Sequence, residues 1–359
     1  MRDTSRRSVL TGMAAVIGGA TAARAQHTNH GPMYERLNQA GRVDEPEAAK
    51  TQRVYDSPAP KAEKPGKWVD RAPLPLPRSE MAWATALGGK LHLVGGYGEQ
   101  KVDRPYHHVY DPAADKWTDA APLPLGANHV GVATIDRWLF AMGGFLGQNH
   151  TPHDQCFVYR GDSWHPIAKL PRACGAMSCI GFEDKIHCIG GAIGVGFEAR
   201  RSVDWHLVYD PAMNAWSERA PLPTARDHTG IVAVGDRIHI IGGRVDSFHT
   251  NSNLHHTWES KEDRWRMRNP LPTARSGHGS VVVRNQIFCM GGEGTNKVFG
   301  QNEAYDVAAD KWWQYAPMTT PRHGLGAVAL GDTIYVAGGG PVMGGGFQSA
   351  VHEAFMLDG

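Results

Sequence analysis

The 359-residue chain has no excess of either charge, with 37 Lys and Arg against 36 Asp and Glu. A near-neutral surface carries no electrostatic footprint for nucleic acid or for an anionic membrane, so neither is expected as a partner. Cysteine is scarce. Its five copies (Cys156, Cys174, Cys179, Cys188 and Cys289) are odd in number and contain no C-x-x-C, which argues against a disulfide framework, a zinc knuckle or a c-type haem site. Cys179 and Cys188 would face each other across a hairpin turning at Glu183-Asp184. They read as two buried thiols, with a bridge formed after export as the alternative. The chain also lacks H-E-x-x-H, G-x-S-x-G and P-loop patterns, and no cofactor is expected. Beyond the short Gly/Ala-rich stretch Val9–Ala23, no segment suggests a membrane span.

Glycine is abundant, at 43 residues with 23 prolines beside it. Without a collagen period this means many tight turns, and so an all-β chain. Residues 1–25 read as an export signal. Arg6-Arg7 precede the weakly apolar stretch, and Ala23-Arg24-Ala25 supplies a small-x-small cleavage pattern. Paired arginines and modest hydrophobicity resemble a twin-arginine (Tat) signal, which places the mature chain in the bacterial periplasm or outside. Removing residues 1–25 takes away four arginines and one aspartate and leaves a net charge of −2. Residues 26–66 are polar and Pro-punctuated, and read as an extended arm or linker. Gln26-His27, His30 and Met33 could bind copper at a mature N-terminus, but a functionless tail is the favoured reading.

The rest, 67–359, repeats. Gly-Gly pairs follow apolar runs at 95–96, 143–144, 190–191, 242–243, 291–292 and 338–339, and a tryptophan keeps step at 68, 117, 164, 216, 265 and 312. A third marker, usually Tyr-Asp, recurs as Tyr110, Tyr159, Tyr209, Trp258, Tyr305 and Phe355. Six copies in register with two other markers are the signature of a repeat architecture. Thr229–Val234 and Arg237–Ile241 flank Gly235-Asp236, and Leu207–Asp210 and Ala215–Arg219 flank a Pro-Ala-Met-Asn turn, so both read as hairpins. Ala-Pro-Leu-Pro then leads into the next unit. Four short strands per ~47 residues cannot bury both sheet faces alone, whereas packing them radially does. The doublet with Tyr-x6-Trp resembles the kelch repeat, which implies a six-bladed β-propeller. Trp68 lacks an upstream aromatic and Phe355 lacks a downstream Trp, so the strand around Lys67–Arg71 should complete the last blade.

Strand order assigns the lead-in to each innermost strand, and the long segment after each Gly-Gly, to one face. Variable loops on a rigid scaffold are where binding groups sit. Histidine has 19 copies. His92, His187 and His239 fill a ring-shaped slot three residues before Gly-Gly. His107, His206, His255 and His352 recur three residues before the blade aromatic, a packing role. His129, His228, His278 and His323 instead lie at the lead-in, beside Arg226, Arg275 and Arg322, with Arg78 and Arg172 close to the equivalent slot. Guanidinium forks with titratable imidazoles suit a small anion or sugar acid; the alternative is that these residues tie adjacent blades together. Glu80, Asn128, Glu198, Arg200, Arg244, Asp246, His249 and Glu293 are each unique to one blade on that face. Arg244 would join the ligand-binding set, and Glu293, directly after Gly-Gly, could be a general acid/base or a plain ion-pair partner.

Two enzyme resemblances narrow the choice. Galactose-oxidase-like propellers need a Tyr-His pair on an inner strand, but Tyr106-His107 precedes a third strand. The iron motif of plant specifier proteins is not matched by Glu198 and Asp204. The periplasmic sialic-acid mutarotase is similar in blade count and compartment. The leading expectation is therefore an exported recognition protein for a small anionic or sugar ligand or a protein partner. The alternative is a metal-independent epimerase or mutarotase using Glu293, with Arg226, Arg275 and Arg322 holding a carboxylate. Exposure of Phe145, Phe197, Phe248 and Phe299 would favour a protein partner.

Overall fold

A computed structural model describes residues 61–80 and 84–357; the signal segment and most of the arm lie outside them. The described residues form six four-stranded antiparallel sheets, plus five two-stranded ribbons. In blade 1 the order from the axis outward is Thr85–Leu87, Lys90–Val94, His107–Asp111 and Lys116–Ala120. The hairpin ending in Ala215–Glu218 closes blade 3, and Gly230–Val234 opens blade 4. Each innermost strand touches the next, and Gly326–Leu330 of blade 6 touches Thr85–Leu87 of blade 1. The ring is closed by the N-terminal strand, Lys67–Asp70, pairing with His352–Met356 and setting Trp68 opposite Phe355. Among the described residues no helix is long and apolar enough to cross a membrane.

The repeat markers are the bonds between blades. The second glycine of each doublet donates its N–H to the lead-in carbonyl of the next blade: Gly96 to Ala127, Gly144 to Cys174, Gly191 to Arg226, Gly243 to Arg275, Gly292 to Arg322, and Gly339 back to Arg78, all at 2.8–3.0 Å. The first glycine must be glycine for two reasons. At Gly190, for example, φ is +66°, and a Cβ would lie 2.3 Å from the Arg226 carbonyl oxygen. Each blade tryptophan donates its indole N–H to the segment leaving the preceding blade, as Trp117 does to Ala72 and Trp265 to Ala220. Trp68 closes that circle on Ala316 at 2.8 Å.

The apolar core lies between blades. Leu91, Leu93 and Tyr110 of blade 1 pack with Val328, Tyr335 and Ala354 of blade 6. Two histidine slots turn out to be one feature. His92 bonds His107 at 2.9 Å, His187 bonds His206 at 2.9 Å, and His239 bonds His255 at 2.8 Å. The outer ring of each pair then meets the next blade edge-on, His107 on Tyr159 at 4.9 Å and His206 on Trp258 at 4.8 Å. Cys179 and Cys188 are directly opposed, as free thiols with sulfurs 3.1 Å apart. Burial pushes the thiols of Cys156 and Cys289 up to about 12.

Candidate functional site on the propeller axis

Each innermost strand is preceded by one residue in the left-handed region: Glu80, His129, Ala176, His228, Gly277 and Gly324, with φ between 47° and 63°. Successive members are hydrogen-bonded around the axis, His129 N–H to Glu80 O, Ala176 to His129, His228 to Ala176, Gly277 to His228 and Gly324 to Gly277, at 2.9–3.4 Å. The residue just before each of them bridges to the residue just after its blade's Gly-Gly: Asp227 with Arg244, Ser276 with Glu293, His323 with Gly340. Two concentric rings of side chains therefore meet where the lead-in and post-doublet segments join. Gly324 has a specific reason to be glycine, since a Cβ there would lie 2.6 Å from the Glu80 carboxylate.

The polar members converge. Glu80 reaches His129 Nε2 at 3.1 Å with one oxygen and His323 Nδ1 at 3.0 Å with the other. Glu293 lies 3.5 Å from the same Nδ1, accepts from Arg244 at 3.0 Å, and accepts the Gly344 N–H at 2.8 Å. Arg244 also donates to Asp227 at 2.8 Å and contacts His228 Nε2 at 3.1 Å. All of these except Arg244 are at most 3% exposed. The segment Gly340–Gly344 covers them, with the Val342 carbonyl 2.9 Å from His323 Nε2.

Electrostatics follow from that packing. Burial alone would discharge His323, but the carboxylates of Glu293 and Glu80 outweigh it and raise its pKa to about 9. Burial would likewise lift Glu80, but His323 and His129 hold it well below the usual carboxylate range. His228 falls to about 4 through burial and the adjacent Arg244 cation. The innermost strands also line an open pocket of about 320 Å3, where Ala84, Thr134 and Ser280 lie beside Ile180, Ile231 and Leu325.

The candidate residues divide sharply. Glu293, Arg244, His129, His228 and His323 come together; Arg78, Arg226, Arg275, Arg322 and His278 do not join them. The four arginines are fully buried inside their own blades. Arg78 donates to the carbonyls of Gly95 and Tyr106 and contacts His108. Arg226 does the same with Gly242, Leu254 and His256. Arg275 pairs with Glu303 and bonds the Cys289 carbonyl; Arg322 pairs with Glu353 and bonds Gly338 and Val336. Their donors are taken up by backbone carbonyls and by a buried His or Glu of the same blade, and do not converge on the axis as a clamp for a ligand carboxylate. His278 sits one residue after the left-handed position and wedges between blades 4 and 5, 2.7 Å from where a Cβ on Gly230 would lie. Burial and Arg275 hold it well below its normal pKa.

Among the residues unique to one blade, Glu80 and Asn128 belong to the axial cluster. Arg200 lies over Phe145 at 3.9 Å and bonds Asn149, while Glu198 is exposed. Asp227 was not singled out in the sequence, although it directly precedes His228, and it holds that ring at 2.5 Å. Of the phenylalanines, Phe145 and Phe299 are buried and Phe197 is 48% exposed; the side chain of Phe248 is outside the described set. Among the described residues, Phe347, Val195, Val342 and Val102 are the other exposed large apolar groups of the post-doublet segments.

Comparison with known proteins agrees with this geometry. A family model described as the KLHDC2/KLHL20/DRC7 Kelch-repeats domain matches residues 169–340. The chain is a kelch-repeat β-propeller. Kelch-like protein 35 of mouse is 28% identical over 171 residues, 47% of this chain and 28% of that relative. Bovine Kelch-like protein 36 is 28% identical over 190 residues, and Kelch-like protein terF of Aspergillus terreus 29% over 198. Those stretches cover 51% and 50% of this chain, and 30% and 43% of the two relatives. The matched stretches thus span less than half the length of each of these relatives.

Proposed function

We propose that this chain is a Tat-exported recognition propeller that acts in the periplasm or outside the cell and binds a protein partner through its loop-rich face. The observation that carries the reading is the exposure of Phe197, Phe347, Val195 and Val342 on post-doublet segments. Apolar side chains grouped on one face of a soluble fold are a marker of association. Turning the four arginines inward removes the clamp on which a sugar-acid site or a mutarotase mechanism depended. Glu293, bonded by Arg244 and Gly344 beneath a covering segment, lacks the open approach that proton exchange with a sugar ring requires. Export rests on residues 1–25 of the sequence.

The test is affinity isolation of the full chain from its native host beside the double variant Phe197→Ser/Phe347→Ser. Wild type should retain one protein in stoichiometric amount, lost from a variant with an unchanged melting temperature. The same set of proteins on both would overturn the reading.

A further inference from the structure

Three histidines of the axial cluster share an arrangement that ion pairing alone does not require. The Asn128 amide nitrogen donates to Asp103 and to the Phe145 carbonyl, so its oxygen must accept, and it accepts from His129 Nδ1. Asp227 can only accept from His228 Nδ1, and the Val342 carbonyl can only accept from His323 Nε2. Each imidazole is thus held from outside by an oxygen, and its other nitrogen faces the axis. That is the outer-shell pattern of metal-ligating histidine, in which the distal N–H is fixed by a carbonyl or carboxylate.

The inward groups form two sets, Glu80 with His129 and His228, and Glu80 with Glu293 and His323; within each set the donor atoms lie within 4.8 Å of one another. Two donors each ~2.1 Å from one ion stand no more than about 4.2 Å apart. The 3.0 and 3.5 Å separations around His323 fall inside that limit. In the first set His228 Nε2 is already taken up by Arg244, so the second is the better cage. There His323 Nδ1 is close to both carboxylates yet in hydrogen-bond geometry with neither, as is Glu80 Oε2 towards His129. Both residues are more than nine-tenths buried. Glu80, Glu293 and Asp227 set three carboxylates against the single guanidinium of Arg244. A ligating imidazole is neutral, so with His323 as a ligand two negative charges are left for a cation to balance.

We infer that Glu80, Glu293 and His323 form a binding site for one divalent first-row transition ion on the propeller axis, beneath the Gly340–Gly344 segment. Mixed imidazole and carboxylate donors suit zinc, iron or cobalt over magnesium or calcium. The site reaches beyond partner recognition; of the exposed apolar residues it engages Val342, through its carbonyl and not its side chain.

The test takes the untagged full chain, stripped with chelator, and titrates it with Co2+ and Zn2+. One ion per chain is expected, with a d–d absorption band for Co2+, a Kd below micromolar and a raised melting temperature. Glu80→Gln and His323→Gln should each weaken binding at least 100-fold while keeping the tryptophan fluorescence of the folded ring. Should either fail to fold, Glu293→Gln and the wild-type Co2+ spectrum decide the matter. A wild-type chain that takes up less than a tenth of an equivalent overturns the proposal. So does a spectrum and affinity that persist in the variants but vanish on changing His27 and His30 of the arm.

Discussion

Between pH 7 and pH 5 the propeller is expected to lose most of its stability. The three histidine pairs are buried, and burial is the first cause of every depression: His92 and His187 to about 4, His107, His206 and His239 to about 3, and His255 well below normal. Lys90 faces His92, Lys185 and Arg219 face His187, and Arg237 and Arg268 face His239, all pushing the same way; Asp263 opposes at His206. A histidine with a lowered native pKa stays neutral in the fold while its unfolded counterpart takes a proton near pH 6.5. Its contribution is therefore present above pH 6.5 and is lost as pH falls towards its native value. Each of the five rings held at about 3 or 4 costs about 1.8 kcal/mol between pH 7 and 5, so together they cost ~9, against a total of roughly 5–15 for a folded chain. One titrating ring per pair would still cost ~5 kcal/mol. Thermal unfolding at pH 7, 6 and 5 should show a steep fall in melting temperature. The double change His239→Phe/His255→Asn, which installs the Phe288 and Asn302 of blade 5, should move the acid midpoint lower. A melting temperature flat down to pH 5 would contradict the assignment.

Arg275→Ala should damage the fold and leave recognition intact. Arg275 and Glu303 are both wholly buried, and among the described residues Glu303 has Thr273 and Gln314 as its further hydrogen-bond partners. Removing one member of such a pair strands the other charge in the interior, at a cost of about 3–5 kcal/mol. The carbonyls of Thr273 and Cys289 lose a donor as well. For a propeller of this size the melting temperature should fall by roughly 5–8 °C. Adding Glu303→Gln should restore part of the loss, because the stranded charge is then gone. An Arg275→Ala protein that melts like wild type but no longer binds its ligand would return this arginine to the binding face.

These two cases mark how far the sequence could be read. The ring was legible because its markers are bonds made once per blade: the second glycine to the next lead-in, the tryptophan to the preceding exit, Trp68 to Ala316. A contact repeated six times must appear as a residue repeated six times. The axial cluster was half legible. Glu80, Arg244 and Glu293 stood out as departures from the repeat, and they occupy the left-handed slot and the position after Gly-Gly. The arginines were misplaced because neighbourhood in sequence does not tell which way a side chain turns. Arg226 and His228 are two residues apart, yet one is held by carbonyls within the blade and the other faces the axis. His278 was misplaced by a single step past the left-handed residue. The histidine pairs had a signal that went unused: His92, His187 and His239 occur only in blades that also carry His107, His206 and His255.

The measurement closest to the central claim is site-specific photo-crosslinking in the native host, with the probe placed at position 197 or 347 and, for the opposite face, at 213 or 236. Met213, 75% exposed, and Asp236 lie on turns between adjacent strands, away from the post-doublet segments. The account predicts one discrete crosslinked protein from 197 and 347 and none from 213 and 236. Crosslinks confined to the turn face, or equal from both, would contradict it.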